Sequence, residues 1–233
     1  MPVENITSSK KRRNKKMLSN EREYRNFQNF QPIIKRSAEE GEEKKEMVEG
    51  YASTFEEYSL MDFGTEEWRE RIEPKAFDEA DMTDVVFLRD HEGRVFARTK
   101  NNTISIIPDE KGLFTITDLS RTAASREMYE DIAAGNYSQM SFAFTVAEQR
   151  FEERQEGDKT IYTRIIDRIK KVYDISAVAF PANPTTDIGV SVRSVFDGAI
   201  EELRAERLEA ETRAAREQAI AELKRKFREV SES

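Results

Sequence analysis

"SQMSFAFTVAEQRF", Ser138 to Phe151, repeats with a period of two. Met140, Phe142, Phe144 and Val146 fall on one face, and Ser141, Ala143 and Thr145 on the other. That period is the signature of a strand that lays one face on a core. Just upstream, "TAASREMYEDIAAGN" (Thr122–Asn136) predicts a helix. Thr122 or Ser125 serves as N-cap, Met128, Ile132 and Ala133 supply the apolar side, and Gly135 ends it. Further upstream, "TISIIPDEKGLFTITDL" (Thr103–Leu119) reads as two strands around an Asp-Glu-Lys-Gly turn. "DVVFLRDH" and "RVFARTK" flank a Glu-Gly turn, and "KTIYTRIIDRIKKVYDISAVAFPANP" holds further strands that stop at Pro181 and Pro184. Residues 46–193 are therefore expected to form one mainly β domain of the α+β class, a barrel or sandwich with inserted helices.

The flanks differ in composition. Residues 1–45 segregate charge, with "KKRRNKK" (Lys10–Lys16) followed by "AEEGEEKKE" (Ala38–Glu46). Such blocks predict a polar, disordered tail. A nucleic-acid arm is the sharper reading of the basic block. A chain charge of -8 and the absence of an aromatic stacking platform disfavour it. Residues 194–233 have no proline, and no glycine after Gly198. They are rich in Ala, Glu, Arg and Leu, and predict a long, charged, solvated helix. Its apolar stripe is too interrupted, at Arg207 and Glu211, for a sustained coiled coil.

Composition also restricts the chemistry. With no cysteine, neither disulfides, thiolate catalysis nor cysteine-based zinc sites are available. With a single histidine, a histidine-rich metal site cannot form within one chain. No cofactor and no metal is expected. No apolar run approaches the ~20 residues of a bilayer span and no signal-peptide core opens the sequence, so no membrane association is expected.

The lone histidine, His91, lies in "FLRDHEGRVFARTKNN" (Phe87–Asn102). By itself a solitary imidazole is more often incidental than catalytic. Ser141, read on alternation alone, is the polar half of its strand, pointing away from the core. Asp174 opens the apolar run of "VYDISAVAFPANP" (Val172–Pro184), where a carboxylate needs a partner because unpaired burial of its charge is costly. A histidine is a natural partner. A serine hydroxyl becomes a competent nucleophile when an imidazole, ordinarily titrating near ~6.5, can accept its proton. A carboxylate on the other ring nitrogen fixes the tautomer. The spacing of the three is not diagnostic, and the Gly-x-Ser-x-Gly elbow of α/β-hydrolases is absent.

Taken in order, "ERIEPKAF", "VVFLRDHEG", "PDEKGL", "YEDIAAGNYSQMSFAF" and "VYDISAVAFPANP" resemble the prohead (capsid maturation) serine proteases of tailed bacteriophages. The resemblance covers roughly residues 48–192. It implies a herpesvirus-protease-like β-barrel with surrounding helices. It also implies His91 as general base, Ser141 as nucleophile and Asp174 as the acid that orients the histidine. The herpesvirus relatives use a second histidine in that third role, which this chain does not have. The implied substrates are the scaffold, the scaffolding segment of the major capsid protein, and the protease itself. They would be cut inside the assembling procapsid in the host cytoplasm, by a homodimer. Ala143 and Ala97 stand where many members carry glycine. Arg121, Arg126, Arg164 and Arg168 are candidates for holding the oxyanion. The competing expectation is a non-catalytic capsid-assembly or scaffolding protein on the same barrel, working through its tails.

Overall fold

The computed structural model describes residues 21–27, 33–37, 45–179 and 190–231. Two sheets carry the fold. The four-stranded one orders β2 (Ile33–Ser37), β3 (Lys45–Thr54), β9 (Gly112–Asp118) and β8 (Ile104–Pro108), every neighbouring pair antiparallel. The seven-stranded one orders β1 (Glu23–Phe27), β10 (Gln139–Glu156), β11 (Lys159–Val178), β5 (Glu66–Ile72) and β4 (Tyr58–Asp62). Its remaining strands, β6 (Val86–Arg89) and β7 (Glu92–Arg98), branch from β11. Helix α1 (Ala123–Ala133) follows β9, and helix α2 (Val190–Ser231) ends the chain.

β10 and β11 form a long antiparallel hairpin that turns at Gly157, whose φ of +62° needs glycine's freedom. β11 is long enough to serve two partners. Its first half, Thr160–Ile166, pairs in parallel with β5, and its second half, Asp174–Ala177, pairs in parallel with β6. The segment from β5 to β6 runs along β11 between these pairings, tied by Glu73 N–H to Ile166 O and by Asp81 N–H to Lys170 O.

Between the sheets lies the main core. Val48 and Ala52 of β3, Leu113 of β9, Phe142 and Phe144 of β10, and Ile169, Val172 and Ile175 of β11 meet there, joined by Met128 and Ile132 of α1. Phe142 and Phe144 stack with ring centroids 4.4 Å apart. A smaller core docks the start of α2, where Phe196 stacks on Trp68 at 4.7 Å and Val192 and Ile200 pack beside it. Farther along, Leu208, Ile220 and Leu223 are exposed, as a solvated helix requires.

Several expectations change here. Among the described residues the strands form two open sheets and do not close into one barrel. The reason is the division of β11, which gives its two halves to different parallel neighbours and branches the sheet where a barrel would continue around. Residues 1–45 were read as a polar tail, yet Glu23–Phe27 and Ile33–Ser37 are strands within the sheets. The block Lys10–Lys16 lies outside the described residues. The turn between β6 and β7 centres on Asp90 and His91, two residues before the Glu-Gly pair. Helix α1 starts as read, since the Thr122 hydroxyl accepts from Ser125 N–H at 3.0 Å.

Gly112 opens β9 where it crosses β3, and a Cβ there would lie 2.0 Å from the Ser53 carbonyl oxygen. Backbone cannot yield as a flexible side chain can. Gly112→Ala is expected to destabilise the protein by about 1–3 kcal/mol or more. The shift of the denaturant midpoint measures it, and an unchanged midpoint would refute the close approach.

Candidate active site

Three neighbouring strands converge on one point. β10/β11 pairing sets Ser141 opposite Ser176 and Ala143 opposite Asp174. Paired residues share a face, so Ser141, Asp174 and Ser176 all project to the side away from Phe142 and Phe144. β11/β6 pairing carries the chain to Arg89, and the next two residues fold back over that face. Both turn residues have positive φ, Asp90 at +48° and His91 at +60°. This is the left-handed pair that two-residue hairpin loops favour. For residues with a Cβ it costs on the order of 1 kcal/mol or more each. Local hydrogen bonds offset the cost. Asp90 N–H donates to Ala177 O at 3.1 Å, Ala179 N–H to Asp90 Oδ1 at 3.1 Å, and His91 N–H to Ser176 Oγ at 3.2 Å.

The result is a hydrogen-bonded row. His91 Nδ1 lies 2.6 Å from Asp174 Oδ1, and His91 Nε2 lies 2.5 Å from Ser141 Oγ. An ionised carboxylate only accepts, so the Nδ1 proton belongs to the bond with Asp174, and Nε2 of the neutral ring is left to accept from serine. Asp174 is 3% exposed, and its charge is met by His91 and by the Ser176 hydroxyl, which donates at 3.0 Å. The arrangement can draw a proton from Ser141 while stabilising the imidazolium that forms.

Sequence reading missed two elements of this site. Ser176 was legible in principle, because Asp174 and Ser176 are two apart on one strand and must share a face. The second element carries no such signal. β1 adds to the free edge of β10 and runs directly past Ser141, with Asn26 opposite it. Alternation alone points Ser141 away from the core, as an exposed polar residue. It does face away from the core aromatics, but β1 and the His91 turn cover it and it is fully buried. The Ser141 hydroxyl also lies 2.9 Å from the Arg25 carbonyl oxygen, and the Tyr24 ring meets the His91 ring edge-on at 4.7 Å.

β1 is held by buried charge. Arg25 grips Glu70 with two bonds, Nε to Oε1 at 2.6 Å and Nη2 to Oε2 at 2.8 Å. It also donates to Glu23 at 2.8 Å. Arg164 grips Glu23 through Nη1 at 2.6 Å and Nη2 at 2.8 Å, and reaches Glu70 at 3.0 Å and Gln149 at 2.7 Å. Tyr58 donates to Glu70 as well. Two guanidiniums and two carboxylates balance, which makes burial of all four tolerable. Burial alone would push the Glu23 carboxyl up, but Arg164 and Arg25 outweigh it and hold it at about 2. Glu70 is likewise held down, burial again opposed by Arg25 and Arg164. Arg164 is thus committed to this cluster. Arg121 bonds Asp118, Arg126 bonds Ser120 O, and Arg168 bonds Glu79 and Glu148.

The family model of the caudovirus prohead serine proteases matches residues 32–199 of this sequence. The chain belongs to that family. His91, Ser141 and Asp174 all lie within the matched residues, and β1 lies outside them. Among solved structures, the bacteriophage T4 capsid assembly protease is similar at 15% identity and a TM-score of 0.42, covering 69% of this chain and 98% of that one. No curated protein matches the sequence. Among the described residues of this family member, no group of acidic residues and histidine could hold a metal ion, and no helix is long and apolar enough to cross a membrane.

A carboxylate whose pKa is depressed on folding contributes stability that is present above its unfolded pKa and lost as pH falls toward the folded one. Docking of β1 should therefore hold from neutral pH down to the ordinary glutamate value of 4.5, then fail as pH approaches about 2. Amide-exchange protection within β1 should fall in that window, ahead of protection in β11. Protection that persists unchanged to pH 2 would contradict the assignment.

Proposed function

We propose that this chain is a serine endopeptidase in which Ser141 is the nucleophile, His91 the general base and Asp174 the orienting acid. The observation that carries the reading is the continuous row of short hydrogen bonds, 2.6 Å and 2.5 Å, linking the three in a member of a serine protease family. Its substrates would be the scaffold or the scaffolding segment of the major capsid protein, and the chain itself, inside the assembling procapsid of the host cell. The active form would be a homodimer. On the same reading the two sheets are an opened form of the herpesvirus-protease barrel, with Asp174 in the place of that group's second histidine.

The chemistry follows from the geometry. As Ser141 Oγ attacks a peptide carbonyl carbon, its proton passes to His91 Nε2, and Asp174 stabilises the imidazolium through Nδ1–H. The imidazolium returns that proton to the leaving amine, which departs with the C-terminal fragment. Water, deprotonated by the same Nε2, hydrolyses the acyl-serine ester and restores the hydroxyl. Ser176 keeps the Asp174 carboxylate aimed at the ring and anchors the backbone of the His91 turn.

Co-expression with the major capsid and scaffold proteins tests the reading. Ser141→Ala should abolish processing while the thermal melt stays cooperative. Asp174→Asn should lower the rate by ~10³–10⁴-fold, because the amide favours the wrong imidazole tautomer. Processing that continues undiminished with Ser141→Ala would leave the assembly-protein alternative standing.

A further inference from the structure

We infer that the edge of β10 now held by β1 is the substrate-binding edge, and that Glu23–Phe27 occupies it in cis as a displaceable, substrate-like strand. This rests on the reading of Ser141 as nucleophile. A substrate backbone must approach Ser141, yet β1, together with the His91 turn, covers it, pairing antiparallel with β10 from Glu23 to Phe27 with Asn26 opposite Ser141. Adding an extended polypeptide to an open strand edge is a general mode of peptide capture, with main-chain bonds for affinity and alternate side chains for selection. β1 already uses both.

The resident strand also quenches the nucleophile. Ser141 has one hydroxyl proton and two acceptors within reach, His91 Nε2 at 2.5 Å and Arg25 O at 2.9 Å. When the proton goes to the Arg25 carbonyl, it is withheld from the base. Removing β1 uncovers the hydroxyl and leaves His91 the acceptor.

Departure of the strand is electrostatically feasible. β1 brings one charge of each sign, Glu23 and Arg25, and leaves with both. What remains is Glu70 with Arg164, already bonded to each other at 3.0 Å. No unbalanced charge stays in the interior, so the cost is that of the broken contacts alone. β1 also lies outside the residues matched by the family model. The partner this edge fits is an extended polypeptide, and one offering an acidic residue two before a basic one, as in Glu23-Tyr24-Arg25, should compete best.

The test uses the full chain and a fluorophosphonate probe. Ser141 Oγ forms the bond to phosphorus, fluoride leaves, and His91 takes the proton, with the adduct located by mass spectrometry. Because the chain has no cysteine, Tyr24→Cys with Ala143→Cys adds a single pair at directly opposed positions, within the span a disulfide accepts. In this variant the oxidised form should label at Ser141 at least about tenfold more slowly than the reduced form. Arg25→Ala in the otherwise wild-type chain should label about tenfold or more faster than wild type, and Ser141→Ala should not label. Equal labelling of oxidised and reduced forms overturns the inference, whatever Arg25→Ala does. If capsid processing meanwhile depends on Ser141, the catalytic reading survives that result. Absence of labelling in every form, with processing indifferent to Ser141→Ala, overturns both.

Discussion

A carboxylate set in an apolar strand must find a cation or donors, and at Asp174 that requirement organises the whole site. It is 3% exposed, with Ile175 and Val172 of the core beside it on β11. Two groups meet its charge, the imidazole of His91 and the hydroxyl of Ser176. The first comes from a turn whose residues both adopt left-handed backbone, and that turn is in place only because β6 pairs in parallel with β11. Moving β6 by one residue would point His91 elsewhere and strand the carboxylate. The register of β11 is thus enforced by electrostatics as well as by hydrophobic burial.

A second set of buried charges does for β1 what Asp174 does for the turn. Arg25, Glu23, Glu70 and Arg164 form a neutral group, each charge bonded to at least one of opposite sign. Such groups contribute little net stability compared with an apolar replacement, but a strand docked with only one of its two charges engaged leaves a charge alone. Position as well as stability is what this group supplies to β1. The same strand then sits against Ser141 and Tyr24 packs on His91, so the charged group and the hydrogen-bonded row are coupled through five residues of backbone.

Much of this was legible in the sequence because it is local. The alternation around Ser141, the cap at Thr122 and the helical composition after Ser194 depend on nearest neighbours, and the elements they name are present. Asp174 and His91 could be paired by their chemistry, one a charge in an apolar run and the other the chain's single imidazole. What was not legible is set by distant pairing. Glu23–Phe27 has no apolar period and sits among polar residues, so it reads as tail until Arg164, 141 positions beyond Glu23, supplies a reason to bury it. The arrangement in two open sheets likewise reflects which parallel partners β11 takes, and no window of β11 alone encodes that choice.

The row itself has a consequence for the order in which the molecule can acquire it. Ser141 and His91 are 50 positions apart, His91 and Asp174 are 83 apart, and the Ser141 contact with Arg25 spans 116. None is a contact that a short loop could close early, and each waits on the entropy of closing a long one. A chain still being synthesised has His91 and Ser141 but no Asp174 to complete the hydrogen-bonded row until residue 174 has emerged and β11 has docked. Topology therefore delays the row until both halves of the chain are present, however early the local elements form.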